Sequence, residues 1–554
     1  MNTKLVLLPL DDRPVNYDYP RYLARIANLE LHLPPREWLG NPWRASQHER
    51  LVAWVVQEAE KADLLILAID TLAYGGLIPS RISPEPLPQI LERLQVLRLI
   101  KKKRPDLPIL AFSVIQRISR ANSSEEEKDY WANYGSAMFR LSYLEHKVSL
   151  DEASSEEKKE SAKIRQEIPN WVYEDYRQGR ARNHAINQLM LEWLADDLFD
   201  YLLLPQDDTA YYGWNIAEAC ALQMRIRVEG LSDRAITYPG ADEIGCLLIA
   251  SSICRLYNFK PRVWPRYSAV NSPGVITAYE DRPFHELLKA HLAPLGGILA
   301  DSPENADLHL FINAPSLAQG EGMYQWLVWR GVDQLKQESP QATGLYLEKV
   351  VSDPLYKLTR QEMQTPQRNP EEFVRALLDE IEKGHPVALA DVAFVNGADL
   401  ILGNLLTQHA EIGKLFSYGA WNTAGNTLGM VLAHAVLRLV SLKSGDNRLS
   451  TQAHLEFLFH RWLDDYYYQA RERTSTMIQD LPGLGIQLSL ERIQDSGKFT
   501  EIEKRVRLRL QKAGTELSQI FIRSKLVDRV EIRNIYLPWQ RLFEVGFDVE
   551  VHLS

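Results

Sequence analysis

The chain repeats one pattern: a short apolar run that stops at a carboxylate, an amide or an arginine. Leu5 to Leu8 leads into Pro9-Leu10-Asp11-Asp12-Arg13-Pro14-Val15-Asn16, and Leu64 to Ile69 into Asp70-Thr71-Leu72-Ala73-Tyr74-Gly75-Gly76 with Ser80-Arg81 beyond. Ile109 to Ile115 leads to Gln116-Arg117, Tyr201 to Leu204 to Gln206-Asp207-Asp208, and Ala235 to Tyr238 to Gly240-Ala241-Asp242-Glu243. The second half continues with Leu308 to Ile312 before Asn313, Val387 to Ala390 before Asp391, and Leu415 to Tyr418 before Trp421-Asn422. Such runs predict strands buried on both faces. Between them, Ser46 to Lys61, Leu87 to Lys103 and Glu371 to Lys383 carry helical spacing, and Gly384 gives the last a C-terminal stop.

Alternating strands and helices predict mainly parallel sheets. With short strands at Leu29–Leu33, Arg262–Trp264 and Ile298–Ala300, about eleven strands are expected before residue 420. That exceeds the eight of one barrel, so two doubly wound, Rossmann-like α/β lobes are the favoured architecture, with a decorated (β/α)8 barrel as the alternative. The expected division is an N-terminal lobe over 1–230, a second lobe over 231–440, a linker near 441–450 and a C-terminal α+β region over 451–554. Residues 122–198 break the rhythm as a charged helical insertion, read as a solvated face; a second reading is a lid with Arg177, Arg180, Arg182 and His184 turned to an anion.

Composition narrows the partners. The net charge of -10 disfavours a nucleic-acid footprint. Three cysteines without zinc spacing fit a reducing compartment. The opening run meets Asp11 and Asp12 too soon for a signal peptide, and no run of about 18 apolar residues suggests a membrane span. A cytoplasmic protein with a small-molecule or oligosaccharide substrate is expected. Oligomeric state is not legible.

Carboxyl ends of parallel strands are where open sheets bind ligands. Asp11, Asp12, Asp70, Asp207 and Asp208 are therefore the candidate catalytic groups. Converging carboxylates push one another's pKa values apart, which yields a proton donor beside a base or nucleophile, the requirement of glycoside hydrolysis. Arg13, Asn16, Tyr74, Arg81, Tyr211, Trp214, Asp242, Glu243, Asp391, Asn396, Trp421, Asn422 and Asn426 are the candidate substrate contacts, offering charges, amides and flat rings to a sugar. The Trp421 to Gly429 stretch is expected to be a ligand-facing loop entering a helix. The same acids suit Mg²⁺ or Mn²⁺ in a metal-dependent hydrolase or sugar isomerase. A non-catalytic sugar-binding protein is the third class. No protein metal ligands are assigned, because the histidines are scattered; nucleotide loops and a serine elbow are absent from the sequence, and no cofactor is expected.

The stretches Leu8 to Asn16, Asp70 to Gly76 with Ser80-Arg81, Tyr279-Glu280-Asp281-Arg282-Pro283 and Trp421 to Gly429 together resemble a bacterial family known only as a domain of unknown function, DUF4127. The resemblance spans nearly the whole chain and implies a bacterial, cytosolic protein without implying an activity. Locally, Asp207-Asp208 at a strand end is similar to the catalytic pair of some hexosaminidase barrels that use the substrate's acetamido group.

Overall fold

The computed structural model describes residues 3–332, 334, 350–445, 447–486, 493 and 495–554. Two compact units are present: residues 1–21, 29–248 and 279–281 make the first, and residues 22–28, 249–278 and 282–554 the second.

The first unit is built on six parallel strands, β1 (Lys4–Leu8), β2 (Glu30–His32), β3 (Leu64–Ala68), β4 (Ile109–Phe112), β5 (Tyr201–Gln206) and β6 (Ala235–Pro239), in the order β2-β1-β3-β4-β5-β6. β1, β3, β4 and β5 are buried almost throughout, which is why they read as unbroken apolar runs. The second unit repeats the topology with β7 (Arg262–Tyr267), β8 (Ile298–Leu299), β9 (Leu308–Asn313), β11 (Val387–Asp391) and β13 (Ser417–Gly419), ordered β13-β11-β9-β7-β8 and again parallel. Each sheet therefore runs outward in both directions from its first strand, so the chain reverses direction between that strand and its third. In the first unit this topological switch lies between β1 and β3. Neither sheet closes into a barrel, so the decorated-barrel alternative is set aside in favour of two doubly wound lobes.

The eleven expected strands are those of the two sheets, but they divide six and five. Ala235–Pro239, assigned by the sequence pattern to the second lobe, pairs with β5 from Leu202↔Ala235 to Gln206↔Pro239. Pairing across about thirty residues leaves no mark on local periodicity. Between β9 and β11 a small pair, β10 (Gly320–Glu321) with β12 (Phe394–Val395), adds a separate parallel ribbon.

The C-terminal region is part of the second unit's core. Leu455, Phe459, Trp462 and Tyr466 share one apolar cluster with Phe311, Leu389 and Tyr418, as do Leu517 and Phe521 from helix Ser496–Arg523 and Val549 and Val551 from the closing hairpin. The expected linker at 441–450 is a break between helices Ala424–Gly445 and Arg448–Arg461; its Asp446 lies outside the described residues. The second of these helices continues over Trp462–Glu472 with wider π turns. Among the described residues, Ala424–Gly445 is the one helix long and apolar enough to cross a membrane, and it is buried inside the second unit.

Candidate functional site

In the first unit the loops leaving β1, β3, β4, β5 and β6 meet at the carboxyl edge of the sheet. The β1 loop is fixed by Asp11, which forms an Asx-type turn. Its carboxylate accepts Arg13 N–H at 3.0 Å, Asn16 Nδ2 at 2.9 Å, and Arg13 Nε and a terminal guanidinium nitrogen at 2.9 and 2.7 Å. Pro14 then opens a helical turn, Pro14–Tyr17, where its missing N–H costs nothing. Held this way, the Arg13 guanidinium reaches Asp242 from the β6 loop, at 2.5 Å to Oδ1 and 3.3 Å to Oδ2. Asp11 is thus a positioning residue for Arg13, because four donors already occupy its oxygens.

The β3 loop is tied to the β1 loop by Thr71, whose hydroxyl donates to the carbonyls of Pro9 and Leu10 at 2.6 and 3.0 Å. Gly76 permits that approach: its φ is +131°, and a Cβ there would stand 2.8 Å from the Leu10 carbonyl oxygen. Asp70 occupies the first turn of Ile69–Ala73, wholly buried, with Oδ2 accepting Val114 N–H at 2.8 Å. Burial raises its pKa from 3.8 to about 7, and the charge of Asp207 adds to the shift. Asp242 is raised to about 6, chiefly by burial, with Asp11 and Asp207 reinforcing the rise and Arg13 opposing it. Asp207 therefore acts electrostatically on both Asp70 and Asp242.

Two arginines hold the β5 acids. Arg81 donates to Asp207 Oδ2 at 2.6 Å and to Glu126 at 3.0 Å. Arg117 donates to Asp208 at 3.1 Å, Glu127 at 3.0 Å and Glu126 at 2.9 Å. Burial raises the carboxyls of Asp208 and Glu127, Asp208 also through the charge of Asp207. Tyr279–Asp281 joins the site as well: Thr209 donates to the Tyr279 carbonyl at 2.9 Å from its N–H and 3.0 Å from its hydroxyl, and Gln206 Nε2 donates to Asp281 at 2.8 Å. The buried polar atoms here without a hydrogen-bond partner among the described residues include the Tyr74 hydroxyl, Gln206 Oε1 and Arg81 Nε. The Tyr74 hydroxyl senses the charge of Asp70, which reinforces the effect of burial in raising its pKa.

Several expectations change. Asp12 pairs instead with Arg44 at 2.9 Å and Asn41 at 3.3 Å and ties down the Asn41–Arg44 turn. Trp214 is buried in the helical insertion beside Tyr173 and Tyr176, its indole N–H bonded to Glu145 at 3.0 Å. Tyr211 is 63% exposed against Tyr212. Glu243 is wholly buried, packed so closely over Gly240 that a Cβ there would lie 2.4 Å from its Oε1. The lid reading also falls. Arg180 is buried, paired with Glu218 and bonded to the carbonyls of Gln116 and Arg117 at 3.0 Å, so it buttresses the β4 loop. Arg182 bonds the carbonyls of Ser80, Ser83 and Glu85, Arg177 lies over the Trp214 ring, and His184 bonds Gln188.

Asp391, Asn396, Trp421, Asn422 and Asn426 belong to the second unit. Asp391 accepts Asn313 Nδ2 and Asp399 N–H, both at 2.8 Å, and is raised to about 7 by burial and the Asp399 charge. Arg368 closes the network, 2.6 Å from Asp399 and 2.8 Å from Glu362. Asn396 donates to Glu321 at 3.0 Å. Trp421 to Gly429 does enter a helix, Ala424–Gly445, but Trp421 turns inward onto Phe543 and Asn426 is buried against Thr423.

Arg117, Glu126, Glu127 and Gln206 are the site residues that sequence reasoning passed over. Arg117 and Gln206 obey the strand-end rule that singled out the acids. Glu126 and Glu127 sit in a charge run read as solvated. Among the described residues the strand-end acids do not bring three ligand atoms within 4.8 Å of one another, and arginines bond to oxygens of Asp11, Asp207, Asp208 and Asp242. A family model described as protein of unknown function (DUF4127) matches residues 5–548. No curated protein and no solved structure matches the chain.

Proposed function

The chain belongs to the DUF4127 family, and from the first unit's strand ends we propose that it is a cytoplasmic hydrolase that cleaves a carbohydrate with two carboxyl groups and no metal. One observation carries the reading: at the end of β3, burial raises the Asp70 carboxyl to a pKa of about 7, and the charge of Asp207, at the end of β5, helps to keep it protonated. Two acids made unequal by their surroundings divide naturally into a proton donor and a base or nucleophile.

In this scheme the bond between the anomeric carbon and the leaving oxygen breaks. The electron pair goes to that oxygen, which takes the Asp70 proton. Asp207 serves the anomeric carbon, as nucleophile or as base toward water, and Arg81 fixes its carboxylate. Arg13 and Asp242 form a polar wall oriented by Asp11. The Tyr74 hydroxyl and Gln206 Oε1, one donor and one acceptor, suit sugar hydroxyls. Panels of chromogenic glycosides and phosphate esters, each run with and without chelator, test the proposal. Glycoside cleavage that persists in chelator is expected. Chelator-sensitive turnover of a phosphate ester, with every glycoside untouched, overturns it in favour of the Mg²⁺ or Mn²⁺ reading.

A further inference from the structure

At the amino edge of the second unit's sheet, opposite its strand-end network, two histidines and a glutamate converge. Helix Pro370–Glu382 ends in a Schellman turn. Gly384 takes φ +81°, its N–H bonds the Ile381 carbonyl, and the next N–H, of His385, bonds the Glu380 carbonyl at 3.1 Å. That turn folds His385 back over Glu380, with Nδ1 2.7 Å from Glu380 Oε2. His309, the second residue of β9, brings its own Nδ1 to the same oxygen at 2.8 Å. The two rings lie 4.5 Å apart.

The remaining ring nitrogen of His309 decides what the group can do. Nε2 faces the Pro303 carbonyl at 3.0 Å, and a carbonyl only accepts, so Nε2 carries a proton. Nδ1, the nitrogen aimed at the cluster, faces a carboxylate oxygen that likewise only accepts, so an ion bound there takes the place of the proton shared with Glu380 and uses the Nδ1 lone pair. Metal-binding histidines are commonly oriented this way, their outer N–H held by a carbonyl. Two imidazole nitrogens and a carboxylate form a donor set suited to zinc and its neighbours. A tetrahedral ion with bonds of about 2.0–2.1 Å spaces its ligands roughly 3.3 Å apart, so the two nitrogen–oxygen separations would need to open by about half an ångström, and the three ligand atoms already lie within 4.8 Å of one another. Lys383, 3.0 Å from Glu380 Oε1, occupies the other oxygen and leaves Oε2 to the cluster. His385 is half-exposed, which gives an ion a path from water and a place for a water ligand.

We propose that His309 Nδ1, His385 Nδ1 and Glu380 Oε2 bind one divalent transition-metal ion of the zinc class. This site is independent of the strand-end chemistry. His309 lies 71 residues from Glu380, so no local spacing announces it.

The test is titration of the full-length chain, first stripped with chelator, with zinc, and with cobalt as a coloured reporter. One ion per chain is expected, with cobalt developing visible absorption and with tighter binding as pH rises and imidazole protons are released. His385→Ala and Glu380→Gln should each weaken binding at least tenfold. His385 is half-exposed, so its variant should keep the wild-type urea midpoint in chelator. No saturable binding by the wild-type chain overturns the proposal without reference to any variant. Binding that both variants retain at full strength overturns it as well.

Discussion

Asp207→Asn is expected to lower glycoside turnover by about 10²–10⁴-fold while leaving the fold in place. An amide keeps the shape of the side chain and one oxygen for Arg81, which also retains Glu126 at 3.0 Å. What disappears is the negative charge beside the reacting centre. The same change also removes the Asp207 charge that helps to hold the protons on Asp70 and Asp242. The loss should therefore appear mainly in kcat, with substrate affinity changed much less. Undiminished turnover by a folded Asp207→Asn protein would remove Asp207 from the mechanism.

Asp70→Asn is expected to abolish turnover of substrates with poor leaving groups and, at the same time, to stabilise the protein at alkaline pH. The carboxyl is raised from 3.8 to about 7 on folding. A raised carboxyl favours the folded state fully below its unfolded value and loses that contribution as pH rises toward the folded one. Wild-type stability should accordingly decline, from this residue, between about pH 4 and pH 7 and change no further above that. The slope is roughly 1.4 kcal/mol per pH unit, so the cumulative effect is several kcal/mol. Asparagine has no such cost and can still accept the Val114 N–H. Urea unfolding at pH 5 and pH 8 checks this, because the variant's advantage should be small at the first and large at the second. Equal destabilisation at both would mean that Asp70 is simply a structural acceptor. Gain in stability joined to loss of activity is the trade-off expected of a catalytic group whose burial costs stability.

The motif around Asp11 was legible because burial on both faces writes itself as an uninterrupted apolar run, and the first charge after it marks the strand's end. The same rule located Asp70, Asp207 and Asp242, and these are the acids that the charge of Asp207 links in the first unit. It was blind to partners distant in sequence. Nothing near Asp12 announces Arg44, and nothing near Glu126 and Glu127 announces Arg81 and Arg117, so one expected catalytic acid became a loop tie and a supposed solvated run became part of the site. Trp214 illustrates a different limit. Its ring follows a strand-end acid in the chain, yet the helical insertion supplies a complete apolar pocket and Glu145 for its N–H, and burial prevails. The six-and-five division of the strands depends on which edge Ala235–Pro239 joins, a choice made by tertiary pairing.

The central claim is that Asp70 donates the proton, and the pH dependence of kcat/KM for glycoside cleavage in the presence of chelator tests it most directly. That profile reports the ionisation of the free enzyme's essential groups. With Asp70 at about 7, turnover should hold at acidic to neutral pH and fall about tenfold per unit above that, following the loss of one proton. Turnover that continues to rise through pH 8 and 9 would contradict a carboxylic acid donor at this site.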